Sequence, residues 1–467
     1  MAATATNDTT ITAASTTHIL VFPYPAQGHM PALLDLTHQL ALQGLKITIL
    51  VTPKNLPALT SLLSTHPTSI ETLVLPFPPH PKLPLGLENV KDIGNSGNAH
   101  VIAALSRLEG EVVQWFQSHP SPPQVILSDF FLGCTQLWAT QLNIPRIAFF
   151  SVSAFLTCIL THLWLHLDKL PTSNTVEFSD LPRSPSFIQD HLPSIFRKFR
   201  EGDPDWEIVK EGMLANSKSW GYVYNSFDAL EAEYLDHLQK KVLDQGRVYI
   251  IRPLSLINHT GPDTRYDVLN WLDTCPDSSV LYVCFGSQKL LTEPQIRALA
   301  LGLEQSKTRF IWVIKSDSSQ QVPDGFEERI SDRGVVLRGW APQVEILNHK
   351  AVGGFVSHCG WNSLLESIMA GVMLLTWPME ADQFVNTKLL VEYTGSAVKL
   401  CEGENTVPDT DELARIINES LGQDIPQKAM AKAMRERALQ EVKTGGSSST
   451  NLDELVKELS LIRVPKT

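Results

Sequence analysis

Two rhythms of apolar and polar positions alternate along this chain. Short unbroken apolar runs, HILVFP at 18–23 and KITILVT at 46–52, have the look of strands buried on both faces. Between them lies MPALLDLTHQLALQG, in which Leu33, Leu36 and Leu40 share one helix face and Gly44 supplies a stop signal. That predicts a strand–helix–strand unit. IETLVLPF, QVILSD and RIAFF continue the series to residue 150. VYIIRP at 248–253 runs into the polar, turn-rich LSLINHTGPDTRYD, which reads as a linker. The alternation then restarts with VLYVCFGS, RFIWVIK, GVVLRGW, GGFVSH, VMLLTWP and SAVKLC. Strand–helix alternation predicts an α/β fold of mostly parallel sheets, here two doubly wound, Rossmann-like domains facing a cleft. The expected boundaries are a disordered tail at 1–17, a first domain at 18–247, a linker at 248–266, a second domain at 267–444 and a C-terminal helix at 445–467. The last follows from KTGGSSSTNLDELVKELSLI, a Gly/Ser turn before one amphipathic helix.

A chain of 467 residues is too long for one ordinary core, which agrees with two domains. Net charge is −12 with no basic stripe, which excludes nucleic acid as an expected partner. Six scattered cysteines without a CxxC pair argue against a zinc site and a disulfide framework, and suit the cytoplasm. The sequons at Asn7, Asn258 and Asn418 then carry little meaning. Residues 1–17 lack both a basic and an apolar signal region. The most membrane-like stretch, IAFFSVSAFLTCILTHLWLHL at 147–167, holds Ser151, Ser153, Thr157, Thr161, His162 and His166, so it is expected to be a strand and a buried helix. The Pro-rich stretch 76–87 should form a loop at the rim where the strands end.

The motifs GxGxxG, GxxxxGK, HExxH and GxSxG are all absent, which weakens dehydrogenase, P-loop kinase, zinc protease and α/β-hydrolase readings. Ligands of open parallel sheets bind beyond the carboxyl ends of the strands. The loop PYPAQGHM lies there and ends at His29, either a general base or a solvated loop histidine. Asp129 ends QVILSD; it either orients His29 or caps the next turn. From Trp340 to Gln383 the chain reads WAPQVEILNHKAVGGFVSHCGWNSLLESIMAGVMLLTWPMEADQ. A buried strand ending at His358 and entering a helix start makes an anion pocket. Trp340 offers a flat face for a base, or is core. Glu366 offers a carboxylate for vicinal hydroxyls; with Ser363 it also fits a capping box. Asn362 is a cap or a phosphate ligand, and Ser287 a phosphate ligand or a turn. Asp382 and Gln383 suit a sugar. Together these groups point to a nucleotide-sugar donor.

The 340–383 segment resembles the signature box of plant family 1 UDP-glycosyltransferases, and PAQGHM, LSDFF, VCFGS and GGSSS extend the likeness over nearly the whole chain. The resemblance implies a GT-B fold, with the acceptor in the first half, the donor in the second and the last helix crossing back. It assigns Trp340, Ala341 and Gln343 to the nucleoside, and Glu366 to the ribose. Ser287, His358, Asn362 and Ser363 fall to the diphosphate, and Trp361, Asp382 and Gln383 to the sugar. His29 and Asp129 become the catalytic pair of an inverting transfer to a phenolic or flavonoid hydroxyl. No cofactor and no metal are implied, the UDP-sugar being a co-substrate, and a monomer without a membrane span is expected. Met373, Arg252, Pro31 and Ala32 depart from the family pattern, and Met373 is placed to alter the backbone leading to Asp382. The N-terminal LVTPKN and DLTHQL lean toward flavonol 7-O- and simple-phenol glycosyltransferases. Gln383 favours glucose, with xylose or rhamnose next. The rivals are C-, N-, S- or ester-linked transfer, and a catalytically idle UDP-sugar-binding protein.

Overall fold

The computed structural model describes residues 17–169, 173–251, 264–316, 321–422 and 425–462. The expected tail before residue 17, and linker residues 252–263 with Arg252 and Asn258, lie outside the described residues, as does Asn7.

The first lobe is built on β1 (His18–Phe22), β2 (Lys46–Val51), β3 (Ile70–Val74), β4 (Val125–Asp129) and β5 (Arg146–Phe150). A small hairpin of β6 (Thr175–Glu177) and β7 (Ser186–Ile188) follows, then β8 (Gly221–Asn225) and β9 (Val248–Ile251). The main sheet runs β3-β2-β1-β4-β5-β8-β9 and every neighbouring pair is parallel. The second lobe holds β10 (Val280–Cys284), β11 (Arg309–Ile314), β12 (Gly334–Arg338), β13 (Val352–Ser357), β14 (Leu374–Thr376) and β15 (Ala397–Lys399). Its order is β12-β11-β10-β13-β14-β15, again parallel throughout. Both strand orders reverse direction at one place, between β1 and β4 and between β10 and β13. These are the switch points where a crevice opens beyond the strand ends.

Residues 248–251, expected in the linker, are the edge strand β9, and residues 264–266 already belong to the helix Thr264–Asp273. The apolar VYII was strong enough to pair, so the polar stretch begins later than the composition suggested. Residues 147–167 divide into β5 and a buried helix, Ala154–Leu165, whose N-cap Ser153 accepts from the Leu156 N–H. No helix among the described residues is long and apolar enough to cross a membrane. The loop 76–87 follows the carboxyl end of β3, but lines no part of the interlobe cleft. It packs instead through His80 on Asp205.

The chain returns to its first lobe at the end. The helix Pro426–Val442 reaches across, and Glu441 accepts the N–H groups of Asp228 and Ala229 at 2.8 and 2.8 Å, closing a helix start in the other lobe. The helix Ser447–Leu461 then lies on the first sheet. Leu455 and Leu459 are fully buried beside Ile19, Ile47 and Ile251. Each such leucine contributes about 1.5–3 kcal/mol by leaving water. Asn451 accepts the N–H of Ile250, which blunts the open edge of β9.

Candidate functional site

The lobes enclose a cleft of about 460 Å³ bounded by the loops after β1, β5, β10, β12 and β13. Of the residues singled out in the sequence, His29, Ser287, Trp340, Ala341, Gln343, His358, Trp361, Asn362, Ser363, Glu366, Asp382 and Gln383 line it. Asp129 stands behind His29 and is wholly buried.

His29 precedes the helix Met30–Leu42, in which Pro31 occupies an early position where no N–H is needed and Ala32 is buried. Its Nδ1 lies 2.9 and 3.1 Å from the two carboxylate oxygens of Asp129, and 3.1 Å from the Ser151 hydroxyl. A carboxylate only accepts, so Nδ1 carries the proton and Nε2 keeps a lone pair. Phe130 stacks on the imidazole and Tyr24 meets it edge-on, which fixes the ring plane. Asp129 also accepts the Phe131 N–H at 2.9 Å. Its capping and orienting roles coexist.

On the other side, a chain of bonds runs through Gln343. Tyr282 donates to its Oε1 at 3.2 Å, and its Nε2 donates to Glu366 at 2.6 Å and Ser363 at 3.3 Å. Burial pushes the Glu366 carboxyl up to about 7. The expected capping box does not form. The helix Trp361–Ala370 is entered from Gly360, so Ser363 sits two residues past the first turn's start and its hydroxyl meets Gln343. Asn362 is likewise no cap: its amide donates to the carbonyl of Gly28, next to His29, across the cleft. The first three N–H groups of this helix have no carbonyl a turn earlier within it, and they start at the cleft wall.

His358 directly follows β13 and is neutral. Burial, with Lys315 nearby, lowers its pKa to about 4. A Cβ on Gly286 would stand 2.6 Å from its ring, and Gly286 has φ +73°, so both space and backbone demand glycine there. Trp361 is buried, and its indole N–H is spent on the carbonyl of Asn225 at 2.8 Å. The side chain therefore ties the lobes while still lining the cleft. Burial raises the Asp382 carboxyl above its usual range, and Asn386 holds it at 2.7 Å. Gln383 accepts the N–H groups of Met379 and Glu380 at 2.8 and 2.9 Å, so its oxygen is committed. Cys359 and Ala381, both non-glycine, have φ of 66° and 56° beside these groups. Such strain gathers where side chains must be aimed. Met373 is core, and its carbonyl accepts the Phe355 N–H at 3.0 Å. Trp340 is 39% exposed and so is not core.

Pattern reading missed Ser151, Tyr282, Lys289, Lys315, Asn225 and Asn386. Ser151, Lys315 and Asn225 sit at or directly beyond a strand's carboxyl end, the one signal that could have flagged them. Elsewhere, His80, His100 and Asp205 converge closely enough to hold a cation. His80 Nδ1, however, accepts the Lys82 N–H, so its Nε2 carries the proton toward Asp205, and the Lys82 ammonium occupies the carboxylate at 3.1 Å. These bonds make a clasp that seats the 76–87 loop.

Residues 262–427 match the family model described as UDP-glucoronosyl and UDP-glucosyl transferase. The chain is 50% identical over 452 residues to UDP-glycosyltransferase 89A2 of Arabidopsis thaliana, covering 95% of this chain and 96% of that one. It is 46% identical to flavonol 3-O-glucosyltransferase UGT89B1 of the same plant, over 95% and 96% of the two chains. The crystal structure of Arabidopsis thaliana UGT89C1 complexed with UDP-L-rhamnose is similar with a TM-score of 0.81 at 38% identity, covering 96% of this chain and 100% of that one. The same protein complexed with quercetin gives 0.80. Two facing Rossmann-like lobes and identities of this size over nearly the full length leave one conclusion: the chain belongs to the plant family 1 UDP-glycosyltransferases, with the GT-B fold.

Proposed function

We propose that the protein transfers a sugar, glucose foremost, from a UDP-sugar to a hydroxyl of a phenolic plant metabolite such as a flavonoid, with inversion at the anomeric carbon. The observation that carries this reading is the 2.9 Å contact of His29 Nδ1 with buried Asp129, which reserves Nε2 for the cleft. Nε2 takes the proton as the acceptor O–H bond breaks. The new oxygen–carbon bond forms at the anomeric carbon, and its bond to the diphosphate breaks, the electron pair leaving with UDP.

Trp340 and Ala341 take the base, Gln343 the nucleoside and Glu366 the ribose. The start of the helix Trp361–Ala370, the His358 N–H and Ser287 meet the diphosphate, with Lys315 and Lys289 on the same wall. These groups supply the charge the leaving group needs, so no divalent ion is invoked. Asp382 and the Gln383 NH2 face the sugar. A flavonoid acceptor is supported by the names of the relatives, one a flavonol 3-O-glucosyltransferase and another crystallised with quercetin. A relative crystallised with UDP-L-rhamnose keeps rhamnose as the second donor. Six unpaired cysteines suit the cytoplasm, and a monomer carries the whole cleft.

His29→Ala should lower kcat on a flavonol by about 10²–10⁴-fold while UDP affinity stays within a factor of about two. Turnover equal to that of the unmodified protein would reject His29 as the base. Mass spectrometry of products from UDP-glucose and UDP-rhamnose, each with a panel of phenols, decides the donor.

A further inference from the structure

Behind the His29–Asp129 pair lies a cation that the reaction as written does not use. Arg146 opens β5 and is fully buried. Its Nε donates to Ser128 Oγ at 2.9 Å and Thr135 Oγ1 at 2.8 Å, and one terminal nitrogen donates to Asn216 Oδ1 at 2.9 Å and Ser219 Oγ at 2.8 Å. The other donates to the carbonyl oxygen of Asp129 at 3.3 Å. All five acceptors are neutral. A buried guanidinium ordinarily finds a carboxylate, because burial without a counter-charge is costly.

The titratable groups around it narrow the choice of partner. Cys134, after β4, is pushed up to about 12 by burial and stays a thiol. Tyr222, on β8, is pushed far up and stays a phenol. Asp129 is the remaining acid that acts on Arg146. Burial lowers the guanidinium to about 10, so it still carries its charge at neutral pH. Asp129 in turn faces His29 from the first helix, Tyr24 from the loop after β1 and Arg146 from β5. Asp382 acts on the same His29 from the other lobe.

The bonds of Arg146 also brace the turn that carries the pair. Ser128 and Thr135 bond each other at 2.7 Å, Thr135 donates to the Leu132 carbonyl, and Asn216 donates to the Phe130 carbonyl at 2.9 Å. Residues 128–135 are thus pinned around one side chain, and they include Asp129 and the two phenylalanines against His29.

We propose that Arg146 is the buried counter-charge of Asp129, a positioning residue that holds the carboxylate aimed at His29 Nδ1. The proposal rests on the reading of His29 as base, but its first test needs no turnover. Melting temperatures are measured for Arg146→Gln, Asp129→Asn and the double variant. With a paired charge, the second substitution costs much less than it does alone, since the first has already left its partner unmatched. Additive losses would overturn the pairing. Should Arg146→Gln alone fail to fold, recovery of folding in the double variant supports the pairing, and no recovery overturns it.

The second test is the pH profile of kcat/KM. Removing a nearby positive charge favours proton uptake by the pair, so the acid limb of Arg146→Gln should move up by about one pH unit. Arg146→Lys keeps the charge and should hold the limb in place even as stability falls. Identical limbs in all three proteins, or a Lys variant displaced as far as Gln, would reduce Arg146 to a packing role.

Discussion

Uridine should bind this protein about tenfold more weakly at about pH 6 than at about pH 8, and Glu366 is the reason. Its carboxyl, buried and held by Gln343, is pushed up to about 7 from 4.5. Ribose hydroxyls donate to a carboxylate, so the ionised form is the one that binds. For a group titrating near 7, the apparent dissociation constant rises by about elevenfold at one pH unit below and by about a tenth at one unit above. The span is roughly tenfold, or about 1.4 kcal/mol. Calorimetry in buffers of differing ionisation heat should also detect release of about half a proton near pH 7. Uridine is chosen over UDP because it carries no phosphate to titrate in the same range. His358, at about 4, lies below the window. Glu366→Gln should bind more weakly at pH 8 and show no slope. A flat profile for the unmodified protein, or the same slope in Glu366→Gln, would refute the argument.

Two further outcomes test the site and its support. Trp340→Ala should weaken UDP binding by about tenfold to a hundredfold, the usual worth of a base stacked on an aromatic ring, with an unchanged melting temperature because the ring is 39% exposed; equal UDP affinity by calorimetry would remove it as the base platform. Glu231 closes the start of the helix Ala154–Leu165 by accepting the N–H groups of Ala154 and Phe155, and burial raises it to about 7. An acid raised in the folded state contributes stability that is complete below its unfolded value of about 4.5 and lost as pH rises through about 7, so relative to Glu231→Gln the unmodified protein should lose up to about 3 kcal/mol across that window, and parallel denaturation curves would contradict this.

Much of the cleft was legible because parallel sheets place chemistry at strand ends, and strand ends are visible as the close of apolar runs. His29, Asp129, Ser287 and His358 could each be placed that way. What pattern could not show is which hydrogen bonds each side chain has already spent. Ser363 and Glu366 carry the spacing of a capping box, yet Gly360 starts the helix and Gln343, from a separate turn, takes both. Trp361 and Asn362 read as ligand groups, and nothing in the pattern shows that their side-chain N–H donors also reach carbonyls of the other lobe, more than a hundred residues away in sequence. Arg146 looks like the solvated first residue of a strand; neutral groups from two other segments, 128–135 and 216–219, surround its guanidinium and it is fully buried. The VYII run was read as leaving the first domain because the polar stretch follows it, although its apolar residues pair with β8.

The helix Ser447–Leu461 has a consequence for the order in which this protein is made. The first lobe leaves the ribosome early, but Leu455 and Leu459, which complete one face of its core, are synthesised after every strand of both sheets. Until they arrive, an apolar stripe over β1, β2 and β9 stays open to water and to chaperones. Maturation of the early half therefore waits on translation of the late half, and a ribosome stalled before residue 455 leaves the first lobe unfinished although all its strands are made.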